Sequence, residues 1–294
     1  MNISNTDVFL ATSEYKVIDI FEFVLTYIWA PVLVAVIISI GKFVFNDKLL
    51  YVKEIKRQND SDISFFIELY NNRINKKYRI CSEEVLSYIG INHKRDIQHH
   101  LYVCKKWNKT VGFIKFMVSK SQKYIFVAYV AIDNKDSAAR KNGVNIMLKK
   151  ISKKFFKPHI ADKIIIECEK SKSGHHSAFS KLVARYANSN DKNAYLYDFD
   201  YIQPNMPNDK YETLPEENMS LVLVPYFVPS HTTINKEQLL HIIRMIYYDI
   251  YCPSCNSITN CCELDYSNYL ERLLVNYDNN LPTTISLISL DKIH

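Results

Sequence analysis

Arg140-Lys-Asn-Gly143-Val-Asn145 follows a strand-like run, Tyr124 to Ile132, and a polar loop, Asp133 to Arg140, and it opens an amphipathic helix that continues through Phe155. A helix N-terminus offers unpaired N–H groups and a partial positive charge, which suits a pyrophosphate. Gly143 lets the backbone approach phosphates with no Cβ in the way, and Arg140, Lys141, Lys149 and Lys150 add charge for the same anion. An ordinary loop and helix cap would carry the same letters. A second chemistry is proton abstraction. Glu167 and Glu169 share one face of the strand Lys163 to Glu169, because side chains alternate, and apolar neighbours would raise the pKa of Glu167 toward neutrality. A solvated strand end is the plainer alternative. His175 and His176 offer imidazole bases acting through water. His99 and His100 precede a strand and are expected to face solvent, with no carboxylate in sequence reach to complete a metal site.

The elements that must position these groups follow from periodicity. Helical spacing marks 60–71 and 82–89, and β-branched or alternating runs mark 100–107, 111–118 and 124–132. After the helix at Gly143 come a strand from Lys163, a helix over 177–187, and strands over 194–202 and 219–228. Two helices after Pro229 flank a cysteine-rich loop. Mixed alternation of this kind argues for an α/β fold with a partly antiparallel sheet flanked by helices.

This order and the joint at Arg140 resemble the GCN5-related N-acetyltransferase (GNAT) family over about residues 60 to 228. The family's acetyl-coenzyme A motif, Gln/Arg-x-x-Gly-x-Gly/Ala, is kept at Arg140 and Gly143, while Asn145 replaces the last small residue. The resemblance implies that amides of Asn142, Gly143, Val144 and Asn145 hold the coenzyme pyrophosphate, with Arg140 and Lys141 beside them. It also implies that the main chain of Val130, Ala131 and Ile132 bonds the pantetheine arm as an added strand would. Asn145 would narrow the space beside the phosphates. Family members often carry a Tyr acid on the fourth helix, in Asn-x-x-Ala-x-x-Leu-Tyr. Here His175 stands at the Asn position and Leu182 at the Tyr position. Tyr186, one turn on, is the candidate acid, a Tyr packed between helix and sheet being the plainer role. The expected catalytic set is Glu167, Tyr186 and His175, with acetyl-CoA as co-substrate.

Nineteen consecutive uncharged, mostly apolar residues, Phe23 to Gly41, are long enough to cross a bilayer as a helix. Lys42, Lys48, Lys53, Lys56 and Arg57 follow, so the positive-inside bias puts the C-terminal side in the cytoplasm. The expected organisation is a short extracytoplasmic tail (1–18), a transmembrane helix (19–45), a basic juxtamembrane linker (46–59), the acyl-CoA-binding domain (60–228) and a helical extension (229–294). The net charge of +6 sits largely near the span and around 135–157, a pattern for anionic lipid and a phosphate-bearing ligand rather than a nucleic-acid groove. Of seven cysteines, Cys81, Cys104 and Cys168 are expected as buried thiols, and Cys252, Cys255, Cys261 and Cys262 as reduced thiols or, less simply, a zinc site. The expected activity is transfer of an acetyl or longer acyl group from coenzyme A to an amine on a protein or other membrane-proximal acceptor. The alternative is a non-catalytic GNAT-like module that binds acyl-CoA or a nucleotide and acts as a membrane-tethered sensor or interaction protein.

Overall fold

Runs rich in Val, Ile, Phe and Tyr form the strands, since branched and aromatic side chains suit a pleated, packed surface. The computed structural model describes residues 31–36, 50–75, 78–79, 82–89, 96–170, 178–204, 216–251 and 263–290. The chain divides into two units, Met1–Leu49 and Leu50–His294. In the first, residues 31–36 are helical, with Val32, Leu33, Val34 and Val36 exposed. The rest of the expected span over 19–45 lies outside the described residues. Among the described residues no helix is long and apolar enough to cross a membrane.

The second unit is a mixed α/β fold. Its strands are β1 (Leu50–Ile55), β2 (Ile97–Lys106), β3 (Lys109–Ser119), β4 (Tyr124–Ile132), β5 (Lys163–Glu169), β6 (Tyr195–Tyr197), β7 (Tyr201–Gln203), β8 (Glu217–Pro225), β9 (Thr233–Asn235) and β10 (Thr284–Ser289). Its helices are α1 (Ile63–Arg73), α2 (Ser82–Ser87), α3 (Val144–Phe155), α4 (Ala178–Asn188), α5 (Lys236–Ile246) and α6 (Glu263–Asn280). The strands join in the order β1-β2-β3-β4-β5-β8-β6-β10-β9, with β7 also on β8. All pairings are antiparallel except β4 with β5.

Strand alternation splits the apolar residues into two cores. Leu101, Val103, Phe113, Phe126 and Ile165 pack under α1, α5 and α6, while Tyr102, Ile114, Phe116, Ile164 and Ile166 pack under α3 and α4. A fully buried Leu or Phe side chain contributes about 1.5–3 kcal/mol, so these two layers dominate the fold. Three expectations change. Leu50–Ile55, expected within the 46–59 linker, is the edge strand β1, its six residues paired one-to-one with Leu101–Lys106. The expected helical extension also returns β9 and β10 to the sheet, and the expected strand over 194–202 is broken into β6 and β7. Buried Asp62 secures the corner between β1 and α1, accepting from Lys105 Nζ (2.7 Å), Lys53 Nζ (2.9 Å) and Thr110 Oγ1 (3.1 Å). A buried carboxylate needs such partners to offset its lost hydration.

Candidate active site

One irregularity on β4 creates the site. Lys115 pairs with Tyr129 but Phe116 pairs with Val127, so Ala128 is an extra residue on β4. A bulge of this kind bends a strand and re-aims its side chains. The parallel pairing with β5 covers only Tyr124–Val127 against Lys163–Ile166. Beyond it, among the described residues, Ala128–Ile132 and Glu167–Glu169 have no ladder across the gap. The two strands diverge at the bulge, and β4 presents an open backbone edge there.

Glu167 stands at this fork. Its Oε1 accepts from Tyr201 Oη at 2.5 Å and its Oε2 from Tyr251 Oη at 2.6 Å. Gln203 Nε2 donates to Tyr251 Oη at 3.0 Å. Tyr251 ends the π-turn 247–251 that follows α5, so the C-terminal extension supplies half of the carboxylate's support. Two further tyrosines hold the neighbouring strand: Ile202 N donates to Tyr277 Oη (2.5 Å) and Tyr247 Oη donates to Ile202 O (2.6 Å). Burial pushes the Glu167 carboxyl up to about 7, even though the two tyrosine hydrogen bonds pull it down. A small cavity of about 30 Å³, room for roughly one water, lies beside it, lined by Glu167, Ala128, Tyr129, Lys115, His99 and Tyr251 among others. The arrangement can hold a proton at a carboxylate poised near neutral pH, next to an open strand edge.

The helix start differs from expectation. The helical path begins before Arg140, and Ala139–Gly143 form a π-turn leading directly into α3. Asp136 caps it: its Oδ1 accepts from Ala139 N (2.8 Å) and its carbonyl from Arg140 N (2.9 Å). Asn142, Gly143, Val144 and Asn145 therefore lie within the helical turns rather than at an open terminus. Gly143 has ordinary helical angles, and a Cβ there would meet Ile132 Cδ1 at 2.7 Å. Its missing side chain lets helix and sheet pack closely. Asn145 Oδ1 accepts from Ser189 Oγ at the end of α4 (3.4 Å). Arg140 and Lys141 are exposed, Val130 and Ile132 face the α3 side, and Ala131 faces the other core.

Of the expected catalytic set, Glu167 and Tyr186 do not come together. Tyr186 is buried between α4 and α3, hydrogen-bonded to Ser152, in the core on the opposite sheet face from Glu167. His175 and His176 lie outside the described residues, as do Cys81, Cys252, Cys255, Cys261 and Cys262. Cys104 and Cys168 are buried thiols, and burial pushes Cys104 up to about 12. Among the described residues no group of three His, Cys, Asp or Glu side chains is placed to hold a metal ion. His99 and His100 do not face solvent: both lie within β2, His99 stacked on Tyr88 with centroids 4.4 Å apart, and His100 bonded to Glu54 at 3.0 Å. Their strand starts three residues earlier than expected. Tyr201, Gln203, Tyr251 and Lys115 escaped sequence reasoning, because nothing local couples them to Glu167.

Neither the protein-family models nor the curated protein sequences match this chain. Solved structures similar to it include a Bacteroides thetaiotaomicron protein assigned to the GNAT family of acetyltransferases, at 16% identity and a TM-score of 0.45, covering 68% of this chain and 99% of that one. The Campylobacter jejuni N-acetyltransferase PseH is similar at 12% identity and a TM-score of 0.35, covering 61% and 99%. Arabidopsis thaliana NAA60, in complex with acetyl-CoA, is similar at 9% identity and a TM-score of 0.37, covering 60% and 97%.

Proposed function

We propose that this chain is a GNAT-like acyltransferase that moves an acetyl or longer acyl group from coenzyme A to an amine. The observation that carries this reading is the fork between β4 and β5, with an open strand edge on one side and Glu167 on the other. An extended amide-bearing arm fits such an edge as an added strand, along Val130, Ala131 and Ile132. Exposed Arg140 and Lys141 would meet the phosphates. Glu167 takes a proton from the incoming ammonium, the freed amine attacks the thioester carbonyl, the carbon–sulfur bond breaks, and the proton left on the nitrogen passes to the departing thiolate. A carboxylate with a pKa of about 7 is matched to that task near neutral pH. Tyr201 and Tyr251 orient it. We propose further that residues 19–45 anchor the protein in a bilayer, with the second unit in the cytoplasm. The exposure of four apolar side chains in the helical stretch 31–36 supports an element made for lipid.

Titrating the full chain, in detergent, with acetyl-CoA by calorimetry tests the reading, followed by mass-spectrometric detection of acylated products from an amine panel. Absence of heat at millimolar coenzyme sinks it. Glu167→Gln is expected to keep coenzyme binding and lose about 10²–10⁴-fold in kcat. A second reading, a binding module without turnover, is favoured by the Asp136-capped helix start and by Tyr186, sequestered on the other face. Coenzyme binding with no acylated product across the panel would select it.

A further inference from the structure

The π-turn 247–251 carries more than the tyrosine that meets Glu167. Tyr247 Oη donates to Ile202 O and Tyr251 Oη to Glu167 Oε2, each at 2.6 Å, and between them Asp249 Oδ2 accepts from Tyr124 Oη at 3.0 Å. Two residues along a helical path make roughly half a turn, so Asp249 is held on the opposite flank from both tyrosines. Tyr124 is fully buried at the start of β4, 125 residues away in sequence. A second tie runs beside it: His241 Nε2, on α5, hydrogen-bonds with Gln122 Oε1 of the β3–β4 turn at 3.2 Å. The hairpin β3–β4 therefore grips one flank of the π-turn, and the other flank presents Tyr251 to the carboxylate. Such turns occur mostly where function needs a side chain re-aimed.

Asp249 is half-buried, and burial raises its carboxyl above the usual range; the Tyr124 hydroxyl pulls it back, Asp96 pushes it up again and His241 opposes that. A carboxylate makes a stronger hydrogen bond with a phenol than a neutral acceptor does, which suits a contact that fixes the rotation of a turn. Glu167 itself is faced by Tyr201 from β7 and Tyr251 from the π-turn, with Tyr247 and Tyr277 further off. Across the small cavity stand His99, Lys115 and Tyr129.

We propose that Asp249 is a positioning residue for Glu167: by holding Tyr124 it fixes the rotation of the π-turn and so keeps the Tyr251 hydroxyl on the carboxylate. Its value to proton transfer rests on the reading of Glu167 as the base, whereas the positioning is read from the titration of Glu167 with no turnover required. Carbon-13 NMR of the glutamate-labelled full chain in nonionic detergent follows that carboxyl, its signal assigned by its loss in Glu167→Gln. Tyr124→Phe and Asp249→Ala are each expected to move the midpoint up by about half a pH unit or more, as the Tyr251 hydrogen bond weakens. The sign is diagnostic. Removing a negative charge at 249 would lower the midpoint, and a loosened fold that lets water reach Glu167 would lower it toward 4.5. Asp249→Asn, whose amide oxygen still accepts from Tyr124, is expected to fall between the unchanged protein and Asp249→Ala. Added to Tyr251→Phe, neither Tyr124→Phe nor Asp249→Ala is expected to move the midpoint further, because the hydroxyl they aim is gone. An unchanged or lowered midpoint, or an equal shift in the Tyr251→Phe background, overturns the proposal. Tyr124→Phe, the milder variant, decides the matter if Asp249→Ala does not fold. The expected titration with no acylated product from the amine panel leaves the positioning standing and sinks the acyltransferase reading.

Discussion

Changing Glu167 to Gln should make the protein more stable at pH 8 and no more stable at pH 5. In the unfolded chain the carboxyl titrates near 4.5, and in the fold burial raises it to about 7. Between those values the folded protein binds more protons than the unfolded one, so stability falls as pH rises through the window and levels off above it. A rise from 4.5 to about 7 corresponds to about 3 kcal/mol lost by pH 8. Gln removes that loss but serves the two tyrosine hydroxyls less well, at about 1 kcal/mol. The net expectation is about 2 kcal/mol gained at pH 8 and about no change at pH 5, where the two stability curves meet. Urea unfolding of the full chain in nonionic detergent, followed by circular dichroism across pH 5–8.5, measures it. Taking the difference between the two proteins cancels other titrating groups, such as Asp249, also raised by burial. Curves that stay parallel within about 0.5 kcal/mol would refute the raised carboxyl, and with it the case for Glu167 as a neutral-pH base.

Tyr251→Phe removes one of the two donors that hold Glu167 ionised, so the Glu167 carboxyl should titrate at higher pH, read by carbon-13 NMR of labelled glutamate. Gly112→Ala should destabilise by about 1–3 kcal/mol and Gly143→Ala by less. The added Cβ at Gly112 meets both Ile132 and the main-chain oxygen of Ala131, whereas at Gly143 its tight contact is the movable end of Ile132; thermal melts rank the two. Burial raises the Glu54 carboxyl, but hydrogen bonds from His100 and Lys154 outweigh that and bring it to about 2. Its contribution is present above pH 4.5 and lost as pH falls toward 2, so Glu54→Gln should flatten that part of the acid unfolding curve.

The bulge at Ala128 has no mark in the local sequence. Tyr124 to Ile132 is plainly a strand, yet its letters alternate evenly and nothing in them marks an extra residue. The bulge exists because β3 pairs in two registers along its length. Leu50–Ile55 is similar: with Lys53 and Glu54 in a short run it looks like a linker, and it becomes a strand only because β2 offers a matching edge. The helix starts a few residues before the expected position because Asp136, inside the expected loop, caps it.

Taken alone, the sequence determined the apolar run at Phe23 to Gly41, the sites of the main strands and helices, and Glu167 as a carboxylate out of place on an apolar strand. Each of these is written in periodicity or polarity over a few neighbouring residues. Only the tertiary structure decided that Glu167 is held by Tyr201 and Tyr251, 34 and 84 residues away, and that Tyr186 packs on the far face. The reason is physical. A local pattern says which face of an element avoids water, whereas the partner a buried carboxylate finds depends on which distant segments close over it.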